Sequence, residues 1–238
     1  MLKNEDGAFD VVYNTTTITF RDLLGRYLND VEEKYAPKIL FVAGSMKLPV
    51  PGPRVSIVGT RKPSKQGIQA ASRIAKELVE KGIIVVSGLA RGIDTVAHRT
   101  AIENGGQTIA VLGTPLNRFY PPENIELQKL IMQKHLAISQ FPIKRVTQRK
   151  DFVLRNRTMA LVSDATIIVE AGETSGSLSQ GWETLRLGRP LYVWKSTFDD
   201  PVLNWPQKMQ RYGARRLDGL DELIDELPPP GMEYTVEL

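Results

Sequence analysis

The hydrophobic residues of this chain fall in short, dense runs. ILFVA (39–43), VSIVG (55–59), IIVVSG (83–88), TIAVLG (108–113) and TIIVEA (166–171) are rich in Ile and Val and barely alternate with polar residues. A strand with one wet face alternates, so continuous runs point to strands covered on both faces, as in parallel sheets. Between the runs the period changes. In SKQGIQAASRIAKELVEKG (64–82), Ile68, Ala71, Ile74, Ala75, Leu78 and Val79 share one side of a helix, and Lys-Gly supplies a stop. TVAHRTAIENGG (95–106) and ETLRLGRP (183–190) repeat the pattern. Strand and helix alternating through short links predict an α/β, doubly wound, mostly parallel sheet. YNTTTITFRDLLGRYLNDVEEKY predicts a small strand and one helix ending before Pro37, LPVPGP (48–53) a linker, and DGLDELIDEL a last helix before a loose end. The implied division is a small N-terminal extension with its linker (1–50), one main domain (51–227) and a C-terminal tail (228–238).

Composition narrows the function classes. With 42% hydrophobic and 24% charged residues, the 238-residue chain can bury an ordinary globular core. The start MLKNEDGAFD is too polar and acidic for a signal peptide, and no apolar run approaches the ~20 residues of a membrane span. The count of 0 cysteines excludes disulfides, thiolate metal sites and cysteine nucleophiles, and fits a cytoplasmic location. A net charge of +4 permits a polyanionic partner without requiring one. The distribution says more: KRVTQRKDFVLRNR (144–157) carries six Lys or Arg against Asp151 alone, arranged around Phe152. So extended a basic run favours a polymer over a mononucleotide, which needs only a few cationic contacts.

In open α/β sheets ligands sit at the carboxyl ends of the strands. Here those ends read Gly59-Thr60-Arg61, Ser87-Gly88-Leu89-Ala90-Arg91-Gly92, Gly113-Thr114 and Gly172-Glu173-Thr174-Ser175-Gly176-Ser177. Glycine lets backbone approach a ligand, helix N-termini present unpaired N–H groups, and arginine offers a fork that suits phosphate. Four such turns point to an anionic ligand. No GxxxxGK[ST], GxGxxG or GxSxG signature accompanies them, which argues against P-loop hydrolysis, NAD binding and a serine-hydrolase elbow. Asp94 and His98 lie four apart but lack further metal-ligand partners, so a structural hydrogen bond between helix and loop is the better reading.

Taken together, VSIVGTRKPSKQG (55–67), VVSGLARGIDTVAH (85–98), GGQTIAVLGTPLNRFYPPEN (105–124), RKDFVLRNRTMALVSDATIIVEAGETSGSL (149–178) and LGRPLYV (187–193) resemble, in order and spacing, the DNA-processing protein A family, also called DprA or Smf. The resemblance covers roughly residues 38–227. It implies an extended Rossmann-like domain, without cofactor or metal, that binds single-stranded DNA rather than acting as an enzyme. It also implies that the protein protects strands, helps load a RecA recombinase in DNA uptake, natural transformation or recombination, and works as a homodimer. Carried over by position, the strand-binding residues would be Gly59, Thr60, Arg61, Ser87, Gly88, Arg91, Gly92, Arg155, Asn156, Arg157, Ser175, Gly176 and Ser177. Phe152 and Phe119 are candidates for base stacking. The helical and winged-helix-like modules that flank this domain in many relatives have no counterpart in the sequence.

Two other readings stay open. A nucleotide-signal sensor could use the same pocket. A nucleoside-monophosphate phosphoribohydrolase of the LOG type would need a catalytic glutamate where this chain has Gln180; an amide cannot ionise, which leaves Glu183, one helical turn on, as the substitute.

Overall fold

The computed structural model describes residues 15–228. The start MLKNEDGAFD and all but the first residue of the expected tail lie outside the described residues. In chain order come β1 (Thr15–Ile18), α1 (Phe20–Leu24), α2 (Asp30–Tyr35), β2 (Leu40–Gly44), β3 (Arg54–Val58), α3 (Lys65–Glu80), β4 (Ile84–Ser87), α4 (Ile93–Glu103), β5 (Thr108–Leu112), α5 (Ile125–Lys134), β6 (Leu136–Ser139), α6 (Arg149–Val162), β7 (Ala165–Ile168), α7 (Ser177–Arg186), β8 (Leu191–Trp194), α8 (Lys195–Phe198), α9 (Trp205–Gln210), β9 (Arg215–Leu217) and α10 (Asp221–Asp225). The strands form one nine-stranded sheet in the order β1-β2-β6-β5-β4-β3-β7-β8-β9.

From β6 to β9 every pairing is parallel, and the expected Rossmann-like arrangement is present. α3, α4 and α10 bury Ala71, Ile74, Ala97 and Leu223 against Val55, Ile57 and Val85 on one face. α5 adds Leu127 and Ile131 against Ala110 and Leu112. α1, α6 and α7 cover the other face, where Phe20, Leu24, Met159 and Leu161 join Val58, Val86 and Val111 in one cluster. Apolar cover on both faces is why these strands carry no polar alternation.

Two expectations need correction. ILFVA does not join the parallel set: β2 runs antiparallel to β6, pairing Phe41 with Ser139, and β1 runs antiparallel to β2. The one helix expected before Pro37 is two. α1 stops at Gly25, whose left-handed backbone (φ 69°) returns its N–H to the Arg21 carbonyl. α2 restarts at Asn29, which accepts from the Glu32 N–H at 2.9 Å while Glu32 accepts from the Asn29 N–H at 3.1 Å. These reciprocal caps break a period that looks continuous in sequence. The sheet also gains β6, β8 and β9, which lie outside the apolar runs picked out by pattern.

The segment before residue 51 is tied to the parallel strands by a buried ion network at the end of the sheet away from the carboxyl termini. Glu32, 2% exposed, accepts two 2.7 Å hydrogen bonds from Arg26 and a further one from Arg189. Arg189 also donates to the Ala160 and Leu161 carbonyls at 2.6 and 2.8 Å and to the Ser163 carbonyl, satisfying the C-terminus of α6. Beside it Asp164 accepts from the side chain of the fully buried Arg54 at 2.8 Å. Burial by itself would raise the Glu32 carboxyl, but the bonds from Arg26 and Arg189 prevail and hold it at about 2. Its folded value lies below its unfolded one, so its contribution is complete above pH 4.5 and is lost as pH falls toward about 2. Glu32→Gln is expected to cost on the order of 3 kcal/mol at neutral pH in urea unfolding, and less as the solution is acidified. A deficit that stays constant with pH would assign the loss to packing instead of charge.

Candidate functional site

The sheet order reverses at β3. The chain steps from β3 through β4 and β5 to β6 on one side, and α6 then carries it back to β7 on the other. A crevice opens outside the strand ends at such a switch point. The turns after β5, β4, β3 and β7, singled out in sequence as neighbours, do lie side by side there. They line two joined cavities of about 270 and 660 Å³. Leu89, Leu112, Tyr120, Pro121 and Phe152 make the smaller one largely apolar. Thr60, Arg149, Asn156 and the Gly172–Ser177 turn make the larger one polar. Both share Arg61, Lys62, Ala90, Phe152 and Arg155, so they form one groove.

Arg155 is the floor of this groove. It is 6% exposed and joins the ends of β4 and β5, donating to the Gly88 carbonyl and, at 2.8 Å, to the Val111 carbonyl. Its Nε donates to Asn156 Oδ1 at 3.0 Å. Burial pulls its pKa down and the charge on Asp94 pushes it back up. Asp94 is itself buried, which raises its pKa against the pull of Arg155, and it accepts from the N–H groups of Gly88 (3.1 Å) and Ala90 (3.2 Å). That is the helix-to-loop bond expected of Asp94. His98 instead bonds Thr108 Oγ1 at 2.7 Å, and burial pushes it down to about 3, so it is neutral at physiological pH.

Two of the glycines make room for side chains of α6, while a Cβ on Gly172 or Gly176 would meet nothing within 4 Å. A Cβ on Gly88 would lie 2.1 Å from Arg155 Nη1, and one on Gly113 2.5 Å from Phe152 Cδ1. They are bare so that two side chains of α6 can lie across the strand ends, which brings Arg155 and Phe152 into the groove.

Of the residues put forward from sequence, Gly59, Thr60, Arg61, Gly88, Arg91, Arg155, Asn156, Ser175, Gly176 and Ser177 line the groove. Arg61 is exposed; Arg91, at the mouth of the smaller cavity, is paired with Glu123. Asn156 donates to Ser179 Oγ at 2.6 Å and to the Gly176 carbonyl at 3.2 Å, fixing the turn before α7. Three residues stand elsewhere. Ser87 is fully buried and donates to the Ile57 carbonyl at 2.7 Å. Gly92 backs onto the Thr60 carbonyl. Arg157 turns away to Glu183 at 3.2 Å and lies 5.0 Å over the Tyr35 ring. Phe119 packs on the α5 cluster, whereas Phe152 is in the groove with Tyr120, ring centroids 5.6 Å apart.

The basic run is therefore not one track. Most of it is helix, and a helix turns about 100° per residue, so adjacent charges cannot share a face. Asp151 is buried and bonded to Arg145 at 2.6 and 3.1 Å, leaving Arg149 and Arg155 to line the groove. Lys62, Arg149 and Tyr120 were missed among the candidates. Lys62 had its adjacency to Arg61 as a signal; nothing in the sequence places Tyr120 beside Phe152.

The N-cap of α3, Ser64, is held by a carboxylate from across the sheet, and its Oγ accepts from the Gly67 N–H at 3.0 Å. Glu170, just after β7, accepts from the Ser64 N–H at 3.0 Å and from Ser64 Oγ at 2.6 Å, while its carbonyl takes the Thr60 N–H at 2.6 Å. α7 has no side-chain cap, and its first turn lines the groove.

Gln180 is fully buried, its amide oriented to donate to the Asn156 carbonyl and accept from the Ala160 N–H of α6. Glu183 is bonded to Arg157 and Arg186 and does not line the groove.

Fold and groove together define an α/β protein of Rossmann-like class with a cationic crevice at its switch point. The chain belongs to the DNA recombination-mediator protein A family, whose sequence model matches residues 19–228. It is 34% identical over 199 residues to the DNA processing protein DprA of Bacillus subtilis, covering 84% of this chain and 67% of that one. With the Streptococcus pneumoniae protein of the same name it shares 35% over 198 residues, 83% of this chain and 70% of the other. The solved S. pneumoniae structure superposes with a TM-score of 0.77 at 33% identity, over 90% of this chain and 75% of that chain. The DNA processing protein A of Helicobacter pylori, whose structure is described for its single-stranded DNA binding mode, gives 0.74 at 26% identity over 90% and 95%. A molybdenum cofactor binding protein from Rippkaea orientalis shares the fold alone, at TM-score 0.54 and 17% identity over 76% of this chain and 96% of the other.

The contact between Gly113 and Phe152 makes a stability prediction. Gly113→Ala is expected to cost about 1–3 kcal/mol through overpacking. In a Phe152→Ala background the same change is expected to cost almost nothing. Urea unfolding of the four proteins measures the coupling; additive effects would show that the glycine is not needed by the ring.

Proposed function

We propose that this chain binds single-stranded DNA along the groove at the carboxyl ends of β5, β4, β3 and β7, and holds the strand without breaking a bond. The observation that carries this reading is the joining of two unlike cavities through Arg61, Lys62, Phe152 and Arg155. A strand alternates charge and ring: phosphates need cations and N–H groups, and bases need flat apolar surfaces. The wider, polar cavity suits the phosphate track, with Arg61, Lys62 and Arg149 at its wall and Arg155 beneath. The smaller cavity suits a base against Phe152 and Tyr120. The engagement of Glu183 by two arginines outside the groove, and of Gln180 by the α6 backbone, supports binding over phosphoribohydrolase chemistry.

Family membership supports a wider role, in which the chain protects strands and passes them to a RecA-type recombinase in DNA uptake or recombination. On this reading it acts as a cytoplasmic homodimer. Among the described residues no helix is long and apolar enough to cross a membrane.

Fluorescence anisotropy with labelled oligo-dT, the matching duplex and dTMP over a range of salt tests the strand-binding reading. Tight, salt-sensitive binding of the single strand is expected. Arg61→Ala should weaken binding to every sequence and reduce the log–log salt slope by about 0.7, one phosphate contact on a single strand. Phe152→Ala should cost about 1–3 kcal/mol with little change in that slope, because stacking releases no counterions. Arg157→Ala should leave both unchanged. Binding of dTMP alone would overturn the reading in favour of a nucleotide sensor.

A further inference from the structure

Two loops wall the smaller, apolar cavity. Gly88, Leu89, Ala90 and Arg91, after β4, form one wall; Thr114, Tyr120 and Pro121, after β5, form another. The first wall carries an unfavourable backbone. Leu89 has φ 57°, and among the described residues it alone, glycines apart, has a positive φ. A bulky side chain rarely adopts that conformation, which persists only where surrounding contacts impose it. Here its peptide groups are held from two sides. Asp94 accepts from the flanking N–H groups of Gly88 and Ala90. Asn124 Nδ2 donates to the Leu89 carbonyl at 2.9 Å, to the Ala90 carbonyl at 3.4 Å and to Thr95 Oγ1 at 2.8 Å. Thr95 Oγ1 in turn donates to the Ala90 carbonyl at 2.7 Å. Asn124 is buried in the turn that leads from the second loop into α5, where its own N–H donates to the Pro121 carbonyl at 3.0 Å. One residue is thus bonded to both walls, by its side chain to the loop of Leu89 and by its backbone to the loop of Tyr120 and Pro121. α5 braces the second loop again through Gln128, which accepts from the Tyr120 N–H at 3.3 Å and donates to the Leu116 carbonyl at 3.3 Å.

We propose that Asn124 is a positioning residue for base recognition: it ties the Leu89 wall to the Tyr120–Pro121 wall and so sets the width of the slot in which a base of the strand lies against Phe152. The inference rests on the strand-binding reading of the groove and deepens it. Asn124 does not itself line either cavity, so it acts through Leu89, Tyr120 and Pro121 and not by touching the strand. Without its amide the Leu89 carbonyl loses this donor, the strained backbone is free to relax, and one wall of the slot moves. Asn124 carries no charge and contacts no phosphate. Its loss therefore falls on the base contribution and leaves the counterion release of the phosphate track as it was.

The test compares labelled oligo-dT with an oligomer of equal length built of abasic sites, by fluorescence anisotropy over a range of salt. The proteins are wild type, Asn124→Ala, Phe152→Ala, the Asn124→Ala/Phe152→Ala double variant and Thr95→Val, with urea unfolding to show which are folded. Wild type is expected to bind oligo-dT more tightly than the abasic oligomer. Asn124→Ala should lower oligo-dT affinity by about tenfold, the scale of one stacked base, and leave abasic binding and both salt slopes unchanged. In the Phe152→Ala background the same change should cost almost nothing, because the ring that the slot serves is gone. Thr95→Val removes one of the hydrogen bonds that orient the Asn124 amide and should lower oligo-dT affinity selectively but less; it decides the matter if Asn124→Ala does not fold. Equal loss on both oligomers, no loss on oligo-dT, or an undiminished loss in the Phe152→Ala background would overturn the proposal. So would equal binding of the two oligomers by wild type, since no base would then be recognised. Failure of wild type to bind either oligomer would instead refute the strand-binding reading itself.

Discussion

The structure depends on one buried guanidinium. Arg155 lies between two strand ends, bonded to the carbonyls of Gly88 and Val111 and facing the buried charge of Asp94. A buried charge is tolerated only when its donors are met and an opposite charge is near. Meeting those conditions fixes the ends of β4 and β5, the rotation of α6 and the loop that Asp94 holds through the Gly88 and Ala90 N–H groups. The same rotation of α6 places Phe152 against Gly113, Arg149 at the wall and Asn156 on the turn before α7. The groove is the outward side of this arrangement: positive beneath, apolar at one end and polar at the other.

The two ends of the sheet handle charge in opposite ways. Away from the groove, Glu32 pairs with Arg26 and Arg189, and Asp164 with Arg54, in a network that joins the N-terminal segment to the parallel strands. At the groove, Arg61 and Lys62 are exposed on the wall above Arg155. Arg61 and Arg155 are close enough for the first to lower the pKa of the second. Like charges held together favour an anionic ligand that relieves them. Carboxylates near the groove are placed selectively. Glu170 caps α3, Asp94 is consumed by backbone N–H groups, and Glu123 pairs with Arg91 at the mouth.

The membership of the chain in a recombination-mediator family accords with this distribution. A protein that holds a single strand needs a surface that grips a repeating backbone. A shallow, continuous groove meets that need better than an enclosed pocket with a general acid and base. Such a groove gives affinity by accumulation, so no single contact has to be strong.

The sequence by itself determined the class of fold, because uninterrupted Ile and Val runs separated by helical periods have few solutions other than a covered parallel sheet. It also determined which turns would meet, since strand ends carrying Gly, Ser, Thr and Arg must gather at the carboxyl edge of such a sheet. The motifs around Gly59-Thr60-Arg61 and Ser175-Gly176-Ser177 were legible for that reason. Only the tertiary structure decided what those residues do there. Whether Arg155 or Arg157 faces the groove depends on the rotation of α6, which packing against β5, β4 and β3 sets. Whether Gly88 yields to a ligand or to an arginine depends on a residue 67 positions away in sequence. What holds the N-cap Ser64 of α3 is Glu170, 106 positions further on and brought to it by the pairing of β3 with β7. Local pattern records which side chains are available; contacts between distant segments settle which of them are free.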